Sequence, residues 1–196
     1  MAIKYLEKTA EGIPVIETLP ADEPRVRGGR IWEVLRLFMG WTFLWAFVDK
    51  VFALGFSTGR DPQTGVINFF GPDAWIKGGS PTAGFLKFGT KGPFAQFFAG
   101  LNPAWVDWVY MLSVLLIGGA LILGIAVRPA AMAGIIWMGL FYAAGAIWPE
   151  NNPFLDEHVV YVAILAGVAY VGSGRWLGLG SYWARVPVVR KYAILR

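Results

Sequence analysis

The chain has no cysteine, a single histidine, and charged residues at only 15% of its 196 positions. Without cysteine there are no disulfides, no thiolate nucleophile, no cysteine-held iron–sulfur cluster and no c-type haem attachment. With His158 alone, the chain cannot give two axial imidazoles to a haem. No metal or covalent cofactor is therefore evident from its residues. The charged fraction lies well below the roughly 25% of an ordinary soluble domain, and 56% of the residues are apolar. Lipid, not water, is the expected solvent for most of this chain. The net charge of +4 comes from short basic clusters beside apolar stretches, which fits membrane topology and predicts no nucleic-acid partner.

Residues 108–127 and 129–149 are charge-free at every position but Arg128 between them, and each matches the ~20 residues needed to cross a ~30 Å hydrocarbon core. Arg128 and Pro129 are expected to form the tight turn between these spans. Residues 159–174 predict a further span, completed by apolar and aromatic neighbours on both sides. The first span is less obvious, because its charge-free stretch covers only residues 37–48. Residues 31–52 are long enough if Glu33 and Arg36 snorkel to headgroups or pair with each other, and if Asp49 and Lys50 sit at the far interface. Trp32, Trp105, Trp108, Trp148 and Trp176 fall near the predicted span ends, as interfacial belts require.

The expected fold class is thus an all-α membrane protein: a four-transmembrane-helix bundle with a long ordered external loop between helices 1 and 2. Residues 1–30 alternate charges with Pro and Gly and contain no apolar run, which predicts a cytosolic N-terminal tail rather than a signal peptide. The membrane domain is expected over 31–183 and a cytosolic C-terminal tail over 184–196. Lys and Arg concentrate before the first span, at Arg128 and after the fourth, placing both termini on the cytoplasmic side of the cell membrane. Ala120 with Gly124, Ala130 with Gly134 and Ala163 with Gly167 allow close helix approach, within the bundle first and in a homo-oligomer second.

The loop over 56–103 is rich in Gly and Pro yet carries Phe69, Phe70, Trp75, Phe85, Phe88, Phe94, Phe97 and Phe98. Such a content of aromatics predicts an ordered cap packed by their burial, with 93–101 lying along the membrane surface. Ionisable groups at span ends are the candidate site. An outward first helix ends at Asp49 and Lys50, and an inward fourth helix begins at Asp156, Glu157 and His158, so these groups share one membrane depth. Asp49, Lys50, Glu157 and His158 are the candidate catalytic residues, with His158 suited to proton exchange near neutral pH. Each also has a plain structural reading as an interfacial charge or helix cap, and the Asp156–Glu157 pair meets a helix dipole favourably.

Several residue patterns resemble a known family. Arg36, Gly40, Phe43 and Asp49-Lys50 look like the start of DoxX-type membrane proteins. Gly79-Ser-Pro-Thr-Ala-Gly-Phe-Leu86, Gly92-Pro-Phe-Ala95, Asp156-Glu-His158 and Gly178-Leu-Gly180 after Arg175-Trp176 are similar to its DoxD branch. The resemblance runs over about 31–183. It implies the membrane subunit of a thiosulfate:quinone oxidoreductase, which converts thiosulfate to tetrathionate with quinone as electron acceptor, beside a DoxA-like subunit. It leaves open a noncatalytic accessory place in a larger membrane redox complex. In the direct version of that chemistry Lys77, Lys50 or Arg60 holds the sulfur oxyanion by charge-assisted hydrogen bonds, Asp156 joins the substrate-binding set, and His158 and Asp49 handle the quinone's protons. A small transporter ranks lowest, since no span is broken in the repeated manner transporters use.

Overall fold

A computed structural model describes residues 4–8, 14–17 and 29–195 of the chain. Most of the expected N-terminal tail lies outside the described residues. What is described there is an antiparallel pair of short strands, β1 (Lys4–Lys8) and β2 (Pro14–Glu17). From residue 29 onward the regular structure is helical. Helix α1 (Gly29–Phe52) leads into a long connection holding the short helix α2 (Ala95–Ala99), followed by α3 (Pro103–Leu123), α4 (Val127–Phe141, continued by a π turn Tyr142–Ala146), α5 (Glu157–Val171), α6 (Gly180–Trp183) and α7 (Pro187–Lys191).

Three of these segments, Gly29–Phe52, Pro103–Leu123 and Val127–Ala146, are long and apolar enough to cross a membrane. Only 28%, 44% and 28% of their most apolar stretches are buried within the protein. Large apolar side chains such as Phe38, Trp41, Leu116 and Ile136 point outward, while Glu33, Arg36 and Asp49 are buried. Apolar outside and charged inside is the reverse of a water-soluble domain and suits a hydrocarbon surround. This is a membrane protein.

α5 differs from the expected fourth span. Asp156 caps its start through Val159 N, and Gly172 ends it in a left-handed conformation, leaving 15 residues, or about 22 Å at 1.5 Å per residue. That is short of the ~30 Å core. α1 packs on α3 and α5, and α4 packs on the same two helices. The close approaches are made by glycines. A Cβ on Gly118 would lie 2.6 Å from Leu44 N, and one on Gly134 would touch Leu165 and Phe43. Ala130, Gly134 and Gly167 therefore serve packing within the chain, Gly167 against Trp32, whereas Ala163 is exposed. The expected turn at Arg128–Pro129 is displaced: Gly124 (φ 70°) closes α3, and Arg128 and Pro129 lie in the first turn of α4. Proline is well placed there, because the first-turn amide has no helical acceptor.

Glu33 and Arg36 do not snorkel. Arg36 is fully buried, and each of its five N–H groups meets an acceptor. Nε and Nη2 donate to Glu33 Oε2 at 3.2 and 2.9 Å, Nη2 also donates to Leu177 O at 2.7 Å, and Nη1 donates to Leu121 O and to Ile122 O. Glu33 Oε1 in turn accepts from Gly174 N at 2.7 Å. Leu121 and Ile122 are among the last four carbonyls of α3, which have no helical donor. Ala120 O takes the amides of Gly124 and Ile125, and Leu123 O takes that of Leu179. Arg36 is thus the C-terminal cap of a neighbouring helix, with its charge at the negative end of the α3 dipole.

Candidate functional site

The opposite end of the helices carries the connection between α1 and α3, and two buried carboxylates hold it down. Asp49, in the last turn of α1, accepts from Phe56 N (3.1 Å), Ser57 N (2.9 Å) and Ser57 Oγ (2.7 Å). Asp107, near the start of α3, accepts from Ser80 Oγ (2.7 Å), Thr82 N (2.9 Å) and Thr82 Oγ1 (2.6 Å). Between these anchors Trp75 sits edge-on to Trp108 and Phe47, and Phe85 sits edge-on to Phe141. Farther along, Lys91 N donates to Ala144 O at 2.8 Å. Asp61 makes a turn of its own. The amides of Thr64 and Gln63, with the Thr64 side chain, stabilise its carboxylate and hold its pKa below the ordinary value.

The connection is held down, but not chiefly by burying its aromatics. Phe56, Phe69, Phe70, Phe88, Phe94 and Phe97 are exposed, whereas Leu86 and Phe98 are buried. Carboxylates capturing backbone amides and hydroxyls replace much of the apolar packing expected from the sequence.

A cavity of about 790 Å³ lies beneath this connection, within the range of small-molecule and cofactor sites. Its walls are largely aromatic and aliphatic, including Phe85, Phe98, Trp105, Tyr110 and Phe141; its charged groups are Lys50, Arg60 and Asp73. Lys50 Nζ donates to Ser57 Oγ at 2.8 Å and stands 5.9 Å from the centre of the Tyr110 ring. Ser57 Oγ passes its own hydrogen to Asp49, so the serine couples the buried carboxylate to the cavity's ammonium group. Arg60 Nε is fixed by Gly55 O at 2.8 Å.

Of the residues singled out from the sequence, Lys50 and Arg60 line the cavity. Asp49 is not on its wall: it stands behind Ser57 and positions it. Lys77 is exposed in a 3-10 turn (Trp75–Lys77) and does not line the cavity. Asp156, His158 and Glu157 form a separate group at the start of α5. Asp156 Oδ2 lies 2.6 Å from His158 Nδ1 while Oδ1 caps the helix, so one carboxylate sets both the helix start and the ring orientation. Glu157 is exposed.

Among the described residues no hydrogen bond or ion pair joins Asp49 or Lys50 to Glu157 or His158. The two groups share an end of the fold but are separated by rings. Lys50 faces Tyr110, whose ring is 6.0 Å from that of Phe141, and Phe141 is 5.9 Å from the His158 ring. Ser57, Asp107 and Tyr110 were not legible as site residues. Asp107 alone gave a signal, a carboxylate at the edge of an apolar stretch.

Comparison with protein-family models, with curated proteins and with solved structures finds no match.

Proposed function

We propose that the chain is the membrane subunit of a quinone-linked oxidoreductase, with the quinone held in the cavity under the α1–α3 connection. The observation that carries this is an aromatic chamber of about 790 Å³ with one half-buried ammonium group, Lys50, aimed along its wall. Aromatic faces suit a flat quinone ring, and an ammonium donor suits its carbonyl. Val109 of α3 and Leu140 of α4 line the cavity and are also exposed on the lipid-facing surface. A hydrophobic quinone would therefore have a lateral way in. The resemblance to the DoxD branch adds thiosulfate as electron donor, with Arg60 and Lys50 the cations placed to hold its oxyanion, and a DoxA-like subunit as partner. In this reading α5 is the fourth membrane helix, both termini are cytoplasmic and the membrane is the cell membrane.

A second reading, a noncatalytic accessory subunit of a larger redox complex, draws on the exposed Phe56, Phe69, Phe88 and Phe94 of the connection, a ready contact surface. Titrating the purified protein with a short-chain quinone, followed by tryptophan quenching from Trp105 and Trp137 on the cavity wall, separates the two. Saturable binding is expected, and Lys50→Met should weaken it about tenfold to a hundredfold, the worth of one charged hydrogen bond. Equal binding by the variant, or none by the wild type, would remove the quinone site and leave the accessory reading.

The orientation has its own test. Single cysteines replacing Asp61, Lys77 or Asn151 should react with an impermeant thiol reagent added outside, and those replacing Lys8, Arg128 or Arg190 should not. Outside labelling at 128 would invert the topology.

A further inference from the structure

The segment after α5, expected to be a tail from residue 184 onward, is folded. Leu179 N donates to Leu123 O at 2.7 Å, Trp183 Nε1 donates to Leu195 O at 2.6 Å, and Val189 is fully buried. The 3-10 turn Ala193–Leu195 packs back on α4. The outer face of this collar combines two kinds of group. Tyr182, Val186, Val188, Tyr192 and Ile194 are exposed. Beside them, Arg185 stacks on Tyr182 at 5.5 Å and Lys191 on Tyr192 at 5.4 Å. On the neighbouring loop, Arg30 stacks on the exposed Trp176 at 5.7 Å.

Over residues 175–195 the charge is one-sided. No Asp or Glu follows Glu157 in the sequence. Glu33, near the start of α1, is buried with its oxygens occupied by Arg36, Gly174 N and Trp176 N. Among the described residues no carboxylate pairs with Arg175, Arg185 or Lys191. An exposed surface that is apolar and aromatic between cations, joined directly to the ends of apolar helices, matches one partner by charge and polarity. We propose that the collar over residues 175–195 is a docking surface for anionic phospholipid, its rings entering the headgroup layer and its cations meeting lipid phosphates. The proposal concerns the end of the protein remote from the cavity and stands whether or not a quinone binds there.

The absence of cysteine makes the test direct. Val188→Cys, carrying an environment-sensitive dye, is reconstituted as the full chain into vesicles of phosphatidylcholine alone or with one part in three phosphatidylglycerol. Anionic vesicles should shift the emission to the blue and lower quenching by aqueous iodide severalfold. Salt at ~1 M, where the screening length falls to ~3 Å, should reverse most of both changes. Adding Arg185→Gln and Lys191→Gln should abolish the dependence on phosphatidylglycerol, and Arg185→Lys should keep it. Identical emission and quenching in the two vesicle types would overturn the proposal, as would a response that survives loss of both charges. Inorganic phosphate added to neutral vesicles should not reproduce the shift; if it does, the site is for free phosphate and not for a lipid surface.

Discussion

Arg36→Met should destabilise the fold by about 3–5 kcal/mol, the cost of stripping one partner from a buried ion pair. The loss is not one of attraction alone. Methionine leaves the Glu33 carboxylate charged in a site with 3% exposure, and leaves Leu121 O, Ile122 O and Leu177 O without the donors that satisfy them. Lysine keeps the charge but not the planar fork, so Arg36→Lys should fall between the two. The double variant Glu33→Gln/Arg36→Met should recover part of the loss, because the unpaired charge is gone while the three carbonyls remain open. Thermal unfolding in detergent micelles reads all three. A stability for Arg36→Met within about 1 kcal/mol of wild type would mean that water or headgroups reach Glu33, the snorkelling arrangement that was one reading of the sequence.

Those contacts show why some of the fold was legible in the sequence and some was not. Apolar length is a local signal, and it located the three long helices and placed Asp49, Lys50 and the Asp156–His158 group at one end. Caps are local as well: Asn102 followed by Pro103 marks the start of α3, a signal that was present but outweighed by Asp107. Starting the span at Trp108 kept that carboxylate outside the membrane, when its actual partners, Ser80 and Thr82, shield it within the fold. The pairing of Arg36 with Glu33, three residues away, was among the readings the sequence offered, but its carbonyl partners lie 85 to 141 residues away, and nothing in a periodic pattern encodes such pairings. The same limit hid the cavity. Lys50 and Arg60 stood out as cations, but which aromatic residues enclose them depends on how 50 residues of connection fold back over α3 and α4. Counting aromatics pointed to ring burial as what holds the connection, where carboxylate anchors do much of the holding.

Asp49→Ala should loosen that connection and abolish ligand binding in the cavity together, and the joint effect separates a positioning residue from one that handles protons. Alanine removes the acceptor for Phe56 N, Ser57 N and Ser57 Oγ. With charged hydrogen bonds worth about 1.5–3 kcal/mol each and not additive, the local cost should be about 3 kcal/mol. Ser57 then no longer orients Lys50, and the cavity loses its fixed donor although the lysine is still present. Hydrogen exchange at Phe56 and Ser57 should accelerate by about two orders of magnitude, as a local opening of ~3 kcal/mol implies, and the segment around 56–60 should become the first site of protease cleavage. Lys50→Met makes the contrast. It removes the cavity's ammonium group without touching the Asp49 amide contacts, so binding should fall while exchange at 56 and 57 stays slow. Asp49→Asn, which keeps an oxygen but brings an amide donor toward Ser57, should lie between Asp49→Ala and wild type on both measures. If Asp49→Ala lost quinone turnover while the amides of 56 and 57 remained protected, the carboxylate would be acting on protons rather than on structure. The clasp would then have to be assigned to Asp107 and the aromatic contacts of Trp75 alone.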